Sequence, residues 1–252
     1  MAVHRLTIPT GGGRLAAALH LPEAGQRPWP CVVTAHGLLS SKDSDKYVQI
    51  GEVFTQAGIA VCRFDFRGCG ESQGNLAETT LAQRVADLRA VVEMMRAHPA
   101  LSGRVALLGS SLGGYVALFA ASTDFKVKAV AAWATPANLD ELAEHPEKVR
   151  AQGLGDAFIA EVKEGRYLRA PVGTRYCLFV HGEQDELVPA DHARRLAETA
   201  LNPRREGQDR WDLTNTAQPY SISLTNMDPT GQPCEPSRPS AVSCWRGRGN
   251  RG

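Results

Sequence analysis

One serine in this chain occupies a setting that would make it a nucleophile. Gly109-Ser110-Ser111-Leu112-Gly113 carries the spacing G-x-S-x-G, in which a strand turns sharply into a helix and presents one hydroxyl at the tip. Glycines two before and two after the serine leave room for that turn. Only Ser111 has both, since the corresponding neighbours of Ser110 are Leu108 and Leu112. With 24 glycines in 252 residues the bare pattern arises easily by chance. Its weight comes from context: a strand-like run, Arg104 to Leu108, precedes it, and a small-residue helical stretch, Leu112 to Ala121, follows. A hydroxyl presented this way attacks acyl carbons once a base removes its proton.

The elements around that serine read as alternating strands and helices. Leu6–Ile8 and Leu15–Leu21 flank Gly11-Gly-Gly13 and predict an opening hairpin. Cys31–Ala35, Ile59–Phe66, Arg104–Leu108, Val127–Trp133 and Tyr176–Val180 are apolar runs of strand length. Between them, Asp45–Ala57, Leu81–His98 and Leu112–Ala121 have helical spacing, and Pro189–Leu201 follows the last strand as another helix. Alternation of this kind predicts an α/β fold with a mostly parallel, doubly wound sheet. Residues 136–172 interrupt it with a charged, weakly amphipathic insertion that reads as a small lid.

Several separate segments resemble the α/β-hydrolase superfamily. His36-Gly37-Leu38 follows the third strand like the family's His-Gly oxyanion loop, and Phe64-Asp-Phe-Arg-Gly-Cys-Gly-Glu-Ser72 resembles its D-x-R-G-x-G-x-S turn. Gly109–Gly114 resembles the nucleophile elbow, and His181-Gly-Glu-Gln-Asp185 the H-G-x-x-D acid loop. Within the superfamily the chain is most similar to small-lidded esterases, including cinnamoyl-ester hydrolases and the serine aminopeptidase-like and dienelactone hydrolase-like groups, over about residues 5 to 202. The resemblance implies that Ser111 attacks the acyl carbon, that the backbone N–H groups of Leu38 and Leu112 hold the oxyanion, and that Asp185 orients a histidine. His36 and His181 are expected to brace their loops, and Glu183 and Glu186 to be solvated loop carboxylates. Asp65 and Arg67 are expected to lock the turn as a pair, and Cys69, with no partner in view, to be inert. The implied reaction is hydrolysis of small carboxylic esters, aryl or cinnamoyl esters among them and amides less so, with no metal or organic cofactor.

One member of that constellation is missing from its expected place. The family order is Ser, acid, His, with the His beyond one more helix and strand. After Asp185 the chain has a single histidine, His192, inside the next predicted helix, and Gly207-Gln-Asp-Arg-Trp-Asp-Leu213 stands where a G-x-D-H segment belongs. The composition breaks at the same point: residues 203–252 hold six of the fifteen prolines, seven arginines and no lysine or histidine. Such a segment is expected to be an irregular tail, with Tyr220–Thr225 as its one short strand. A frame change or rearrangement that replaced the last strand and helix accounts for both features at once. A catalytically impaired or non-catalytic protein of the same fold is therefore the competing expectation.

The remaining composition narrows the class. With 28 basic and 27 acidic side chains the net charge is +1, which fits neither a nucleic-acid binder nor an acidic solvating chain. No apolar run approaches the ~20 residues that span a bilayer, and the N-terminus lacks the pattern of a secretory signal. The cysteines (31, 62, 69, 177, 234 and 244) form no C-x-x-C pair, and their scatter suggests reduced thiols in a cytoplasm. The expected partner is a small ester, with no nucleic acid and no membrane; nothing in the sequence indicates oligomeric state. A dinucleotide-binding reading is disfavoured, because no strand–turn carries G-x-G-x-x-G.

Overall fold

The computed structural model describes residues 2–25 and 27–201. Among these described residues seven strands form a single sheet in the order β1-β2-β4-β3-β5-β6-β7. The hairpin is as expected: β1 (Ala2–Thr10) and β2 (Gly13–Leu21) pair antiparallel from Ala2–Leu21 to Thr10–Gly13. β2 also runs antiparallel to β4 (Ala60–Phe64). From β4 through β3 (Trp29–Ala35), β5 (Leu101–Ser110), β6 (Val130–Trp133) and β7 (Cys177–Val180), every pairing is parallel. Nearly every residue of β3 and β4 is buried, as strands covered on both faces must be.

The helices lie close to their sequence-based limits. α1 (Asp45–Gln56) packs against β4, while α2 (Leu81–Ala97) and α3 (Leu112–Ser122) pack on β5 and on each other. Leu81, Leu88, Val91 and Met95 of α2 are completely buried. Thr80 and Gln83 close a reciprocal capping box at the start of α2, which satisfies two of its free N–H groups. Pro99 ends the helix by driving His98 to an extended backbone. The last helix, α7 (Asp191–Thr199), is shorter than Pro189–Leu201, and β6 starts three residues later than expected because Val127 closes a turn onto Asp124.

Residues between β6 and β7 fold as three short helices, α4 (Asp140–Glu144), α5 (Pro146–Ala151) and α6 (Asp156–Lys163). A two-bond stem closes the segment: Leu139 N–H donates to Leu168 O, and Ala170 N–H to Ala137 O, both at 2.9 Å. The insertion also reaches the main body. Glu161 of α6 accepts the first N–H groups of α2, from Leu81 and Ala82, where the helix dipole favours a carboxylate. Tyr115 of α3 donates its hydroxyl to Tyr167 O at 2.7 Å. The expected tail 203–252, including Tyr220–Thr225, lies outside the described residues.

The 65–72 turn corrects one expectation. Asp65 and Arg67 both lock it, but not with each other. Asp65 is completely buried and accepts Lys42 N–H at 2.7 Å and Glu71 N–H at 3.0 Å, with the Lys42 ammonium 3.1 Å away. Arg67 reaches instead to α2, where its guanidinium grips buried Asp87 through Nε at 3.0 Å and Nη2 at 2.5 Å. The ionic partners, Lys42 for Asp65 and Asp87 for Arg67, lie far away in sequence, so neighbouring charges suggested the wrong pair. Replacing Asp87 by Ala would strand the Arg67 guanidinium, whose side chain is only 15% exposed. The expected cost is about 3 kcal/mol, read from urea unfolding; a loss under about 0.5 kcal/mol would show that the pair does not hold the turn.

Candidate functional site

Ser111 stands at the junction of β5 and α3 with φ 53° and ψ −127°. Few non-glycine residues hold a positive φ, and doing so costs about 1–3 kcal/mol unless the surroundings fix it. Here they do. Ser111 N–H donates to Trp133 O of β6 at 2.8 Å, and Ser111 O accepts Tyr115 N–H at 3.1 Å. The flanking glycines serve close backbone approach rather than unusual dihedrals. A Cβ on Gly113 would lie 2.1 Å from Ala35 O, and one on Gly109 2.5 Å from Gly113 O. Gly114, next along, would meet Thr135 Oγ1 at 2.0 Å. The first turn of α3 is thus pressed against the end of β3.

That contact brings the 36–38 loop to the serine. A Cβ on Gly37 would sit 3.5 Å from Ser111 Cβ. Among the described residues, no hydrogen bond uses the N–H of Leu38 or that of Leu112, the first residue of α3, where helical N–H groups have no intrahelical partner. His36 fixes the loop. Its Nε2 accepts Phe66 N–H at 3.1 Å and its Nδ1–H faces Gly37 O at 2.7 Å. Burial depresses its pKa to about 4, with Gly37 O working the other way. His36 is therefore neutral with both ring nitrogens engaged, a brace.

Asp185 is placed beyond β7, and its hydrogen bonds stay within its own loop. Oδ1 accepts Leu187 N–H at 3.0 Å and Val188 N–H at 2.9 Å, while Oδ2 lies 3.7 Å from His181 Nε2. His181 Nε2–H in turn donates to Val188 O at 2.5 Å, so it braces this loop as His36 braces the other. His192, in the first turn of α7, accepts Ala137 N–H on Nδ1 at 3.0 Å. Burial, helped by Arg195, pushes its pKa down. A neutral imidazole with Nδ1 accepting carries its proton on Nε2, leaving no lone pair for a serine proton. Among the described residues no side chain is hydrogen-bonded to the Ser111 hydroxyl. The structure brings Ser111 and the Gly37–Leu38 loop together, but shows no hydrogen bond joining Ser111, Asp185 and His192.

Two lysines that the sequence did not single out flank the loop. Lys42 is buried beneath it, with its ammonium 2.6 Å from Asp43, 3.1 Å from Asp65 and 2.6 Å from Glu71. Burial opposes the charge, but those three carboxylates outweigh it and raise the pKa. Lys46, in the first turn of α1, donates to Ser110 Oγ at 2.8 Å and lies over the rings of Tyr47 and Trp133 at 5.0 and 5.7 Å. Burial lowers its pKa. Cys69 is buried against Arg84 Nη2 at 3.8 Å. Burial raises its thiol pKa despite that cation. A cavity of about 320 Å³ lies between the insertion stem and α7, lined by Ala137, Arg169, Val172 and Arg195 among others, and does not include Ser111.

Comparison with known proteins agrees with this fold. The family model described as X-Pro dipeptidyl-peptidase (S15 family) matches residues 11–225. The mouse protein named palmitoyl-protein thioesterase ABHD10, mitochondrial, is 28% identical over 210 residues, 72% of this chain and 69% of its own length. The human protein of that name is 28% identical over 196 residues, and there the chain spans less than two thirds of the relative, 62%, against 69% of itself. Among solved structures, mouse alpha/beta hydrolase domain-containing protein 10 matches with TM-score 0.63 at 25% identity, covering 81% of this chain and 86% of that one. Est1E from Butyrivibrio proteoclasticus, solved with ferulic acid bound, shares the fold with TM-score 0.64 at 22% identity, over 79% and 88% of the two chains. The expected α/β-hydrolase fold is the observed one.

Two measurements follow from the strained turn and the buried brace. Ser111→Gly should be about 1 kcal/mol more stable than Ser111→Ala, because only glycine adopts the positive φ freely; equal urea midpoints would show the turn to be unstrained. The His36 pKa of about 4 lies below the ordinary 6.5, so the unfolded chain takes up the proton first. Stability is then fully present above pH 6.5 and is lost as pH falls towards 4, by about 3 kcal/mol at full extent. His36→Gln should remove its share of that slope and leave that of His20, whose pKa burial and Arg63 also lower to about 4; an unchanged slope would assign all of it to other groups.

Proposed function

We propose, for a chain that belongs to the α/β-hydrolase superfamily and within it to the X-Pro dipeptidyl-peptidase (S15) family, that it hydrolyses small carboxylic esters through an acyl-enzyme on Ser111. The observation that carries this reading is the strained Ser111 with the Gly37 backbone against it. Strain at such a position marks a residue held for a purpose, since an unstrained turn would cost less. Ser111 Oγ attacks the acyl carbon, and the carbonyl electrons move onto oxygen between the Leu38 and Leu112 N–H groups. Collapse of that adduct breaks the bond to the alkoxide, which leaves as the alcohol with the proton that the Ser111 hydroxyl gave up; water then adds to the acyl carbon, its oxygen leaving with the acid and one of its protons restoring the hydroxyl. Asp185 serves as the acid member, with residues 136–172 covering the site as a lid. The ABHD10 relatives are named as thioesterases, which makes thioesters the second acyl class to offer. Those relatives are named as mitochondrial, and the cytoplasm remains the compartment inferred from the scattered cysteines, of which Cys31, Cys62 and Cys69 are free. Among the described residues no helix is long and apolar enough to cross a membrane.

A second reading, an α/β-hydrolase-like protein without catalysis, is favoured by one observation: His192 spends its Nδ1 lone pair on Ala137. To act as base it would have to release that bond and turn, exchanging its tautomer. Purified protein and Ser111→Ala, each offered p-nitrophenyl butyrate and an S-acyl thioester, separate the two readings. The hydrolase reading expects loss of at least about a thousandfold in kcat/KM on Ser111→Ala, since a serine nucleophile is essential to acyl transfer. If the rates are equal, the scaffold persists without its chemistry. His192→Ala then tells whether that histidine turns to take the proton, by a loss of similar size.

A further inference from the structure

We propose that Lys46 binds a carboxylate carried by the substrate, so that the site takes anionic esters. This rests on the reading of Ser111 as the acylated residue and names the class of ester. Two neighbouring lysines of the 36–46 segment are treated in opposite ways. Lys42 is buried and fully compensated, with three carboxylates at its ammonium. Lys46, half-buried, pairs with no carboxylate among the described residues. Its one hydrogen-bond acceptor is a neutral hydroxyl, Ser110 Oγ at 2.8 Å, and an ammonium has three donors. The rings of Tyr47 and Trp133 at 5.0 and 5.7 Å give it a partial electrostatic partner. A cation drawn away from water without an anion is costly, and its lowered pKa reports that cost.

The position gives the cost a use. Ser110 directly precedes Ser111, and Trp133, whose ring faces the ammonium, accepts the Ser111 N–H through its carbonyl. Lys46 is thereby placed at the C-terminal ends of β5 and β6, beside the turn that carries the nucleophile, and ligands in parallel sheets bind at that end. It also lies in the first turn of the twelve-residue helix α1, whose positive end reinforces an anion site. An ester with a carboxylate a few bonds from its scissile carbonyl would reach both Ser111 and the free donors of Lys46. That carboxylate belongs either to the acyl group or to the leaving alcohol.

Calorimetry on the full-length Ser111→Ala protein tests this without turnover. One pair of probes is p-nitrophenyl hydrogen glutarate against p-nitrophenyl pentanoate, with the charge on the acyl side. The other is 4-carboxyphenyl butyrate against 4-methylphenyl butyrate, with the charge on the leaving side. In one pair the anionic member should bind at least tenfold more tightly, the scale of one charge-assisted hydrogen bond. That preference should fall below threefold in Ser111→Ala/Lys46→Met and persist in Ser111→Ala/Lys46→Arg, which keeps the charge. Absence of preference in both pairs, or a preference that survives Lys46→Met in a protein with unchanged circular dichroism, overturns the proposal. Failure of the hydrolase reading is a different result: Lys46-dependent binding without any Ser111-dependent turnover.

Discussion

The fold converges on one close contact, the first turn of α3 pressed against the end of β3. At Gly113 the two backbones approach so nearly that a methyl group would come within 2.1 Å of Ala35 O. That approach sets Ser111 into a positive φ, brings the Gly37 backbone alongside it, and leaves the N–H of Leu112 at a helix start. Trp133 O and Tyr115 N–H then hold the serine from the β6 and α3 sides. The energy for the strain comes from ordinary sources: a central strand buried at all but one residue, and helices whose apolar faces leave no choice of register.

Around this contact, polar groups divide into those that fix loops and those with bonding capacity to spare. His36 and Asp65, both buried, are committed to the loops on either side of the β3 and β4 ends. Arg67 ties the next turn to α2 through Asp87. His181 and Asp185 fix the loop after β7, and His192 ties α7 to the insertion stem at Ala137. Buried polar groups must be bonded or pay in stability, so their engagement is expected. The Ser111 hydroxyl and two donors of Lys46 stand apart from that pattern.

Much of this was readable in the sequence because it depends on local pattern. Strand runs such as Cys31–Ala35 and helix limits such as Pro99 are set by burial and by the residues themselves, and both lie within a residue or two of expectation. The Ser111 turn was readable for the same reason, although the glycines act chiefly through close approach. What the sequence could not show were pairings across distance. Arg67 with Asp87, Lys42 with Asp65, and Lys46 with Ser110 lie 20, 23 and 64 residues apart. Only the crossing of parallel strands brings them together, and charge alone suggested neighbours instead. The three short helices between β6 and β7 were unreadable for another reason: at five to eight residues they are too short to show a periodic face.

The tautomer of His192 connects these two groups of polar residues. In a serine–histidine pair, one ring nitrogen must keep a lone pair for the serine proton while the other donates to an acid. His192 here has the reverse arrangement, Nδ1 accepting from Ala137 and the proton on Nε2. Ala137 belongs to the stem that closes the 136–172 insertion, where its carbonyl also accepts Ala170 N–H. Movement of the stem and the tautomer of His192 are therefore coupled through one hydrogen bond. A shift that withdrew the Ala137 N–H would free Nδ1 to donate and Nε2 to accept, so the geometry that keeps the ring idle also makes the stem what it must part from to act as a base.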